Sequence, residues 1–220
     1  MSQATPVPLS PALQGVTAAL PQLGVIRARG EEAAKFLQGQ LTQDVVLMKP
    51  GESRLAGYCN AKGRLLASFR VLRSAADELL LVTSADSLPA TLKRLSMFVL
   101  RAKLKLSDAT AELQLCGLLG DATLSIASGA GRTGAISQSG TENTGTFVIP
   151  LPPADGVARA LWLAPAGTPL PAGPAVPLAD WLLAEVRAGV ARITPPVAEA
   201  FVPQMLNYES VGGVNFKKGC

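Results

Sequence analysis

The sequence predicts an α+β fold, because short strand candidates joined by tight turns alternate with a few amphipathic helices. The pattern lacks the regular strand–helix–strand repeats that indicate a doubly wound parallel sheet. The 220 residues are 48% hydrophobic and only 16% charged. A disordered chain has few apolar residues and many charges, so this composition excludes one. The length allows either one large domain or two small lobes around a sizeable core.

Four strands and two helices are predicted in the first hundred residues. Glu31 and Glu32 suit the start of a helix over 31–40, because acidic groups stabilise the positive end of a helix dipole. Leucines at helical spacing predict a second helix over 87–101. Alternating apolar residues and a tight turn at 61–63 predict the strands, which are 22–29, 54–60, 64–73 and 78–83.

The second half of the chain predicts further strands, a proline-rich loop and one more helix. Five prolines and two glycines exclude a helix or a central strand at 164–177. Apolar residues at 3–4 spacing then predict a helix over 178–188. The first twenty-one residues carry four prolines and are expected to be irregular, as are the last thirty. The strand candidates are 103–107, 112–118, 145–150 and 158–164.

Missing residue types exclude several classes of site. The sequence has no histidine, which removes the commonest general base, the Ser/His/Asp triad and every histidine-ligated metal site. Cys59, Cys116 and Cys220 are too far apart for a paired-cysteine zinc site, and their odd number argues against a disulfide framework. The first two lie in apolar strand patterns. With no signal peptide and no apolar run that could span a membrane, we expect a soluble cytoplasmic protein.

Charge and glycine patterns leave alternatives open. The net charge of +4 favours anionic ligands only weakly. The densest basic stretch, at 93–105, is either the solvated face of a helix or a contact for RNA or another anion. Residues 129–134 match G-x-G-x-x-G literally, but no helix pattern follows them. We therefore interpret them as a surface loop, not as a nucleotide-binding turn.

Trp181 and Cys220 are the candidate functional residues that the patterns single out. Trp181 lies on the apolar stripe of the last helix, which is typical of a core residue, although an indole face can also stack on an aromatic ligand. Cys220 follows Lys217, Lys218 and Gly219 in a segment without apolar periodicity. Neighbouring ammonium groups lower a thiol pKa and favour the reactive thiolate. The alternative is an ordinary cysteine at a frayed end.

Three stretches of the sequence form a recognisable set of motifs. They are FLQGQLTQDV at 36–45, YCNAKGRLLASF at 58–69, and the segment at 201–220 that ends in GGVNFKKGC. In order and spacing, across about residues 20–220, they resemble the YgfZ family of folate-binding proteins, relatives of the glycine-cleavage T-protein (aminomethyltransferase). The Lys-Gly-Cys signature with its upstream Gly-Gly is the most specific part of this resemblance.

The resemblance implies two intertwined antiparallel-sheet-plus-helix lobes around a central channel that binds tetrahydrofolate or another folate derivative. Residues 20–220 would form this folate-binding module, with approximate lobes at 20–105 and 106–200 and the Lys-Gly-Cys segment at 201–220. In the family the chain continues into a small C-terminal β-barrel domain. Because this chain stops at Cys220, we expect that barrel to be absent from it.

The resemblance also implies roles for individual residues. Trp181 matches a tryptophan associated with folate, so its indole is expected against the ring system, with basic residues near the glutamate tail. A second family tryptophan corresponds to Leu23 here. Lys218, Gly219 and Cys220 match the family signature, and we expect them to form the reactive segment.

The function implied is that of an accessory protein in iron–sulfur cluster assembly or repair, with effects on tRNA-modifying enzymes. Its expected partners are folate and iron–sulfur proteins or their assembly machinery, without direct nucleic-acid contact. The alternative is a tetrahydrofolate-dependent aminomethyl transferase. Where the T-protein has a pair of aspartates and a glutamate, this chain has Ala67, Ser68 and Arg187, so we expect no aminomethyl transfer. RNA binding through the basic stretch is a third class of function.

Overall fold

The computed structural model describes residues 14–17, 19–123 and 145–218. Within them the chain forms two five-stranded sheets, and three α-helices lie wholly inside the described ranges; all are numbered here in chain order. This arrangement confirms the predicted α+β class. The helices are α1 (Ala33–Gln40), α2 (Leu88–Ser96) and α3 (Leu178–Arg187).

The first sheet is fully antiparallel and consists of strands that are close in sequence. Its spatial order is β3 (Ser53–Cys59), β4 (Leu65–Ala75), β5 (Glu78–Ser84), β2 (Leu23–Arg29) and β6 (Lys105–Asp108). The turn between β3 and β4 contains Gly63, whose φ of +74° suits glycine. Because both faces of this sheet are covered, β5 has an almost continuous apolar run instead of an alternating one.

The second sheet collects strands from distant parts of the sequence. Its spatial order is β10 (Ala175–Val176), β1 (Gly15–Thr17), β7 (Leu113–Leu119), β9 (Val157–Pro165) and β8 (Phe147–Ala154). The pair β1–β10 is parallel and the other pairs are antiparallel. The short strands β1 and β10 lie in segments that were predicted to be irregular. Strand β10 is defined by its pairing with β1, and β1 by its pairing with β10 and β7; local sequence patterns do not show such long-range pairing.

Three groups of buried side chains hold these layers together. The outer face of the first sheet packs under α1 and α2, around Leu37, Phe69 and Leu95. The outer face of the second sheet buries Cys116 and Trp162. Between the sheets, a third group joins residues of both sheets to the inner side of α3. Its largest members include Leu23, Leu72, Leu80, Leu119, Phe147, Leu161 and Trp181.

Helix α2 is shorter than predicted, since it ends at Ser96 and not at residue 101. Its apolar stripe does not extend further, because Phe98 is 50% exposed and Leu100 is 87% exposed. Neither side chain therefore gains the burial that would favour another helical turn. The chain instead turns so that β6 can pair with β2.

After α3 the chain returns to the first sheet. The amide of Leu65 donates to the carbonyl of Phe201, and the amide of Glu199 donates to the carbonyl of Leu65, both at 2.8 Å. Two short 3-10 turns, at Pro195–Val197 and Pro203–Leu206, lie in this segment. None of the helices in the described ranges is long and apolar enough to cross a membrane.

Candidate functional site

A cavity of about 530 Å³ lies between the two sheets and is bordered by α3 and the loop after it. This volume falls in the range of roughly 300–1,000 Å³ that is common for small-molecule sites. Most of its wall is apolar and comes from both sheets and α3. The apolar lining residues include Leu23, Leu55, Phe69, Val82, Leu151, Leu161, Leu182 and Val186.

Three arginines and one glutamate interrupt this apolar wall. They are Arg70 on β4, Arg159 on β9, Glu185 on α3, and Arg192 in the loop after α3. Arg192 pairs with Glu185 at 3.4 Å between Nη2 and Oε2. Among the described residues that line the cavity, Glu185 carries the only carboxylate. The wall therefore has an excess of positive charge, which favours an anionic ligand.

Arg159 is 5% exposed, although it carries a full charge. Its Nη1 donates to the carbonyl oxygen of Ala184 at 2.9 Å, and its Nε finds no hydrogen-bond partner among the described residues. Burial lowers the pKa of Arg159, and the nearby Glu185 opposes that effect. A buried guanidinium with unused donors is costly unless something else satisfies it.

Trp181 lies directly behind Arg159. The guanidinium carbon is 4.8 Å from the centroid of the Trp181 ring, which is a cation–π contact. The indole is fully buried, and a methyl group added at Gly117 would overlap its six-membered ring. Gly117 on β7 therefore makes room for Trp181, and the face of the indole packs against the guanidinium group of Arg159.

Arg70 faces the same space from the first sheet. Burial lowers its pKa to about 10; Tyr208 raises the pKa, and the like charge of Arg159 lowers it further. No salt bridge within the described residues includes Arg70. The side chain stays charged at neutral pH and has no carboxylate partner of its own.

Tyr208 connects the cavity to the motif segment near the C-terminus. Its hydroxyl donates to the carbonyl oxygen of Ala191 in the cavity loop at 2.6 Å. Its own carbonyl oxygen accepts from the amide of Gly213 at 2.5 Å, and a side chain at Gly213 would overlap the tyrosine ring. The same loop is tied to β4, because the amide of Ile193 donates to Ser68 Oγ at 2.9 Å.

The motif segment is held against the loop after α1 by a set of hydrogen bonds that we call the clasp (residues 38–44 with 212–218). Thr42 Oγ1 donates to the carbonyl of Gly213, and Gln43 Nε2 donates to the carbonyl of Gly212, each at 2.6 Å. Lys218 Nζ donates to the carbonyl oxygens of Gln38 (2.7 Å) and Leu41 (2.6 Å) at the end of α1.

The second motif stretch reaches the same place. Thr42 Oγ1 also accepts from the amide of Gly57 at 2.7 Å, and Leu41 pairs with Tyr58. The three stretches that carry the family resemblance therefore meet in one region of the first sheet. Lys218 serves there as a cap for the carbonyl end of α1, where a positive charge is favourable.

The structure separates the residues predicted from the sequence. Leu23 lines the cavity, whereas Trp181 lies in the core behind its wall. Ser68 lines the cavity too, while Arg187 forms an ion pair with Asp155 at 2.6 Å. Direct stacking of Trp181 on a ligand stays a prediction, and the structure shows no exposed indole face for it. Gly219, Cys220 and the glycine-rich loop at 129–134 lie outside the described residues.

The two cysteines within the described ranges have raised pKa values. Burial raises the pKa of Cys59, and it raises that of fully buried Cys116 to about 12. Both thiols are free and stay protonated near neutral pH, so neither is an activated nucleophile.

Sequence reasoning did not identify Arg70, Arg159 or Arg192 as site residues. An isolated arginine in a strand pattern usually points to solvent, and Arg192 lies in a loop, so none of the three stands out from the sequence. The available signal was the context, because Arg70 and Arg159 each lie within a predominantly apolar strand. In a sheet that is covered on both faces, such a residue has no solvent-facing side.

Comparisons with known proteins support the resemblance. No family model matches the sequence. The chain is 28% identical over 215 residues to the tRNA-modifying protein YgfZ of Colwellia psychrerythraea. This alignment covers 91% of this chain and 63% of that protein. The chain is also 28% identical over 208 residues to the tRNA-modifying protein YgfZ of Vibrio vulnificus, covering 91% and 61%. The chain thus spans about three fifths of the length of these curated relatives.

The fold has a solved counterpart. The aminomethyltransferase T of the glycine cleavage system from Bartonella henselae superposes with a TM-score of 0.56 and 20% identity, over 70% of this chain and 43% of that one. Together with the sequence matches, this similarity confirms the predicted resemblance and the aminomethyltransferase type of fold.

Proposed function

We propose that this chain, a homologue of the YgfZ tRNA-modifying proteins, binds tetrahydrofolate in the cavity between its two sheets. In this proposal it is an accessory protein for iron–sulfur cluster assembly or repair, and it acts on tRNA modification through the enzymes that need such clusters. The observation that carries the proposal is the cavity itself. Its size, its apolar walls and its excess of arginine suit a flat aromatic ligand with an anionic tail.

The alternative, aminomethyl transfer to folate, needs an acidic group at the reacting nitrogen. The positions of the T-protein aspartates are Ala67 and Ser68, and the Ser68 hydroxyl accepts a hydrogen bond from the amide of Ile193. Glu185 is held by Arg192. These contacts favour ligand binding over group transfer.

The link to tRNA modification rests on the names of the relatives, and the link to iron–sulfur proteins rests on the resemblance alone. In this proposal Cys220 is the functional thiol, and the clasp holds the chain that leads to it. Cys59 and Cys116 have a structural role, in keeping with their raised pKa values.

Calorimetric titration with 5-formyltetrahydrofolate, a stable reduced folate, tests the binding. We expect one saturable site. Val186 lines the cavity but is 76% exposed, so Val186→Glu places a carboxylate at the site with little cost to folding. Leu183, which is 43% exposed on the same helix and does not line the cavity, supplies the matched control Leu183→Glu.

The expected result is weaker binding in Val186→Glu and unchanged binding in Leu183→Glu. Absence of binding to the parent protein, or equal effects of the two substitutions, would contradict a folate site in this cavity.

A genetic experiment tests the role in cluster maintenance. The protein carrying Cys220→Ala is expected to fail in rescuing a strain whose cluster-dependent tRNA modification is defective, whereas Cys59→Ala and Cys116→Ala rescue it. Modified nucleosides in total tRNA are measured by mass spectrometry. Full rescue by Cys220→Ala at normal protein level refutes the role assigned to that thiol.

A further inference from the structure

We infer that Arg159 and Arg70 form a carboxylate-binding subsite in the cavity, and that Trp181 serves this subsite by holding Arg159, not by touching the ligand. The inference rests on the proposed folate function and adds to it the part of the ligand that each side chain recognises. The chemical class is a carboxylate-bearing tail, such as the glutamate of a folate.

Arg159 has the properties of a side chain built for a ligand. Only 5% of Arg159 is exposed, and the residue lines the cavity. Its Nε has no hydrogen-bond partner within the described residues. The bond from Nη1 to the carbonyl of Ala184 fixes one end of the guanidinium and leaves other donors of the planar fork unused. A carboxylate matches that fork, because two parallel N–H···O bonds satisfy both partners.

Arg70 supplies a second positive charge on the opposite wall. Both guanidinium groups line the cavity, and both burial and the charge of Arg159 lower the pKa of Arg70. Like charges held away from water disfavour each other. A carboxylate bound beside them removes this repulsion. Glu185 offsets only part of this charge, because the one carboxylate acts on Arg159 and also pairs with Arg192 at 3.4 Å.

Trp181 explains why Arg159 points where it does. The ring lies 4.8 Å from the guanidinium carbon, is itself completely buried, and fits against Gly117. A ligand in the cavity meets Arg159 first. Trp181 is therefore a positioning residue in this site, and its loss acts through the orientation of Arg159.

The test compares two ligands that differ only at the carboxylates of the tail: 5-formyltetrahydrofolate and its glutamate dimethyl ester, in which both carboxylates are methylated and uncharged. The parent protein should bind the acid about 10- to 100-fold more tightly than the ester, the usual weight of a charge-assisted hydrogen bond. Arg159→Ala should remove this preference by weakening the acid alone. Arg29→Ala, at an exposed arginine of β2 paired with Asp77, is the matched control and should keep it.

Trp181→Leu separates the two roles of the tryptophan. If Trp181 acts through Arg159, this variant loses the preference for the acid and keeps its affinity for the ester. If the indole stacks on the ligand rings, both ligands weaken equally, which overturns the inference. Trp181→Phe keeps an aromatic face below the guanidinium and should rescue most of the preference, which also controls for a folding defect of the leucine variant.

The outcomes for the parent protein are distinct. Binding of neither ligand refutes the proposed function and the subsite together. Equal binding of acid and ester leaves the folate site standing and refutes the carboxylate subsite. An equal loss of both ligands in Arg159→Ala assigns the arginine to the ring system and likewise refutes it.

Discussion

In the cavity, three guanidinium groups share one carboxylate, whereas in the clasp each donor of Thr42, Gln43 and Lys218 meets a backbone carbonyl. Both regions hold polar groups out of bulk water, yet only the clasp satisfies them internally. The clasp therefore contributes to stability, because its hydrogen bonds replace those lost to water. The unpaired charged groups in the cavity lower the stability of the protein, and such groups are typical of a ligand-binding site.

Removal of the Thr42 hydroxyl should have the largest effect of the three predictions. Thr42→Val keeps the shape of the side chain but leaves the carbonyl of Gly213 and the amide of Gly57 without their partner. We expect the free energy of unfolding to fall by roughly 2–3 kcal/mol in urea titrations, since each unsatisfied group costs about 1–3 kcal/mol. Thr42→Ser should recover most of the loss.

Thr168 offers the control for that substitution. Its hydroxyl donates to the carbonyl of Pro165 in an exposed turn, so Thr168→Val should change stability by less than about 0.5 kcal/mol. If Thr42→Val and Thr168→Val lower the free energy of unfolding by similar amounts, the hydrogen bonds of the clasp do not contribute more to stability than those of an exposed turn.

Replacement of Lys218 should have a smaller effect. Lys218→Met retains the aliphatic stem and removes the ammonium group that caps Gln38 and Leu41. The half-buried carbonyls regain part of their hydration, so we expect a loss of about 1–2 kcal/mol. Hydrogen exchange in residues 36–44 should also become faster. Lys217→Met, at the exposed neighbouring lysine, is the control, and matching behaviour of the two variants would deny Lys218 its capping role.

Substitution of Arg70 should have the smallest effect on stability and the clearest effect on binding. Arg70→Met removes a charge that has no salt-bridge partner in the described chain and that lies near Arg159. The ligand-free protein should be unchanged within about 0.5 kcal/mol, or slightly more stable. Calorimetry should show weaker binding of 5-formyltetrahydrofolate. A stability loss as large as that of Thr42→Val would mean that Arg70 is a structural residue.

Local patterns predicted most of the elements of the fold but not their ends or their long-range pairing. Alternation predicted β4, and β9 was also predicted as a strand, because a strand pattern needs only a few consecutive residues. The end of α2 was predicted five residues too late, since no glycine or proline stops it and its true limit depends on what Phe98 can pack against. Strand β10 was missed because its partner β1 is about 160 residues away.

The candidate site shows a similar division. Helical periodicity favoured a core position for Trp181, and the structure has it fully buried. The motif around Thr42 was recognised by resemblance, but its contact with Gly213 depends on a fold that spans 171 positions. Arg159 could not be identified as a cavity residue from the sequence. Its neighbours in the site, Trp181 and Arg70, come from other elements that only the fold brings together.

The length of chain between Thr42 and Gly213 has a consequence for the order of events during synthesis. The strands of the first sheet leave the ribosome early, but the clasp joins residues that are 171 positions apart. At 5–20 residues per second, roughly ten to thirty seconds separate the two halves of this contact. Throughout that interval the loop after α1 has unsatisfied donors and the edge strand β3 lacks its covering segment. We therefore expect the nascent chain to be most sensitive to proteases and most dependent on chaperones before Gly213 emerges.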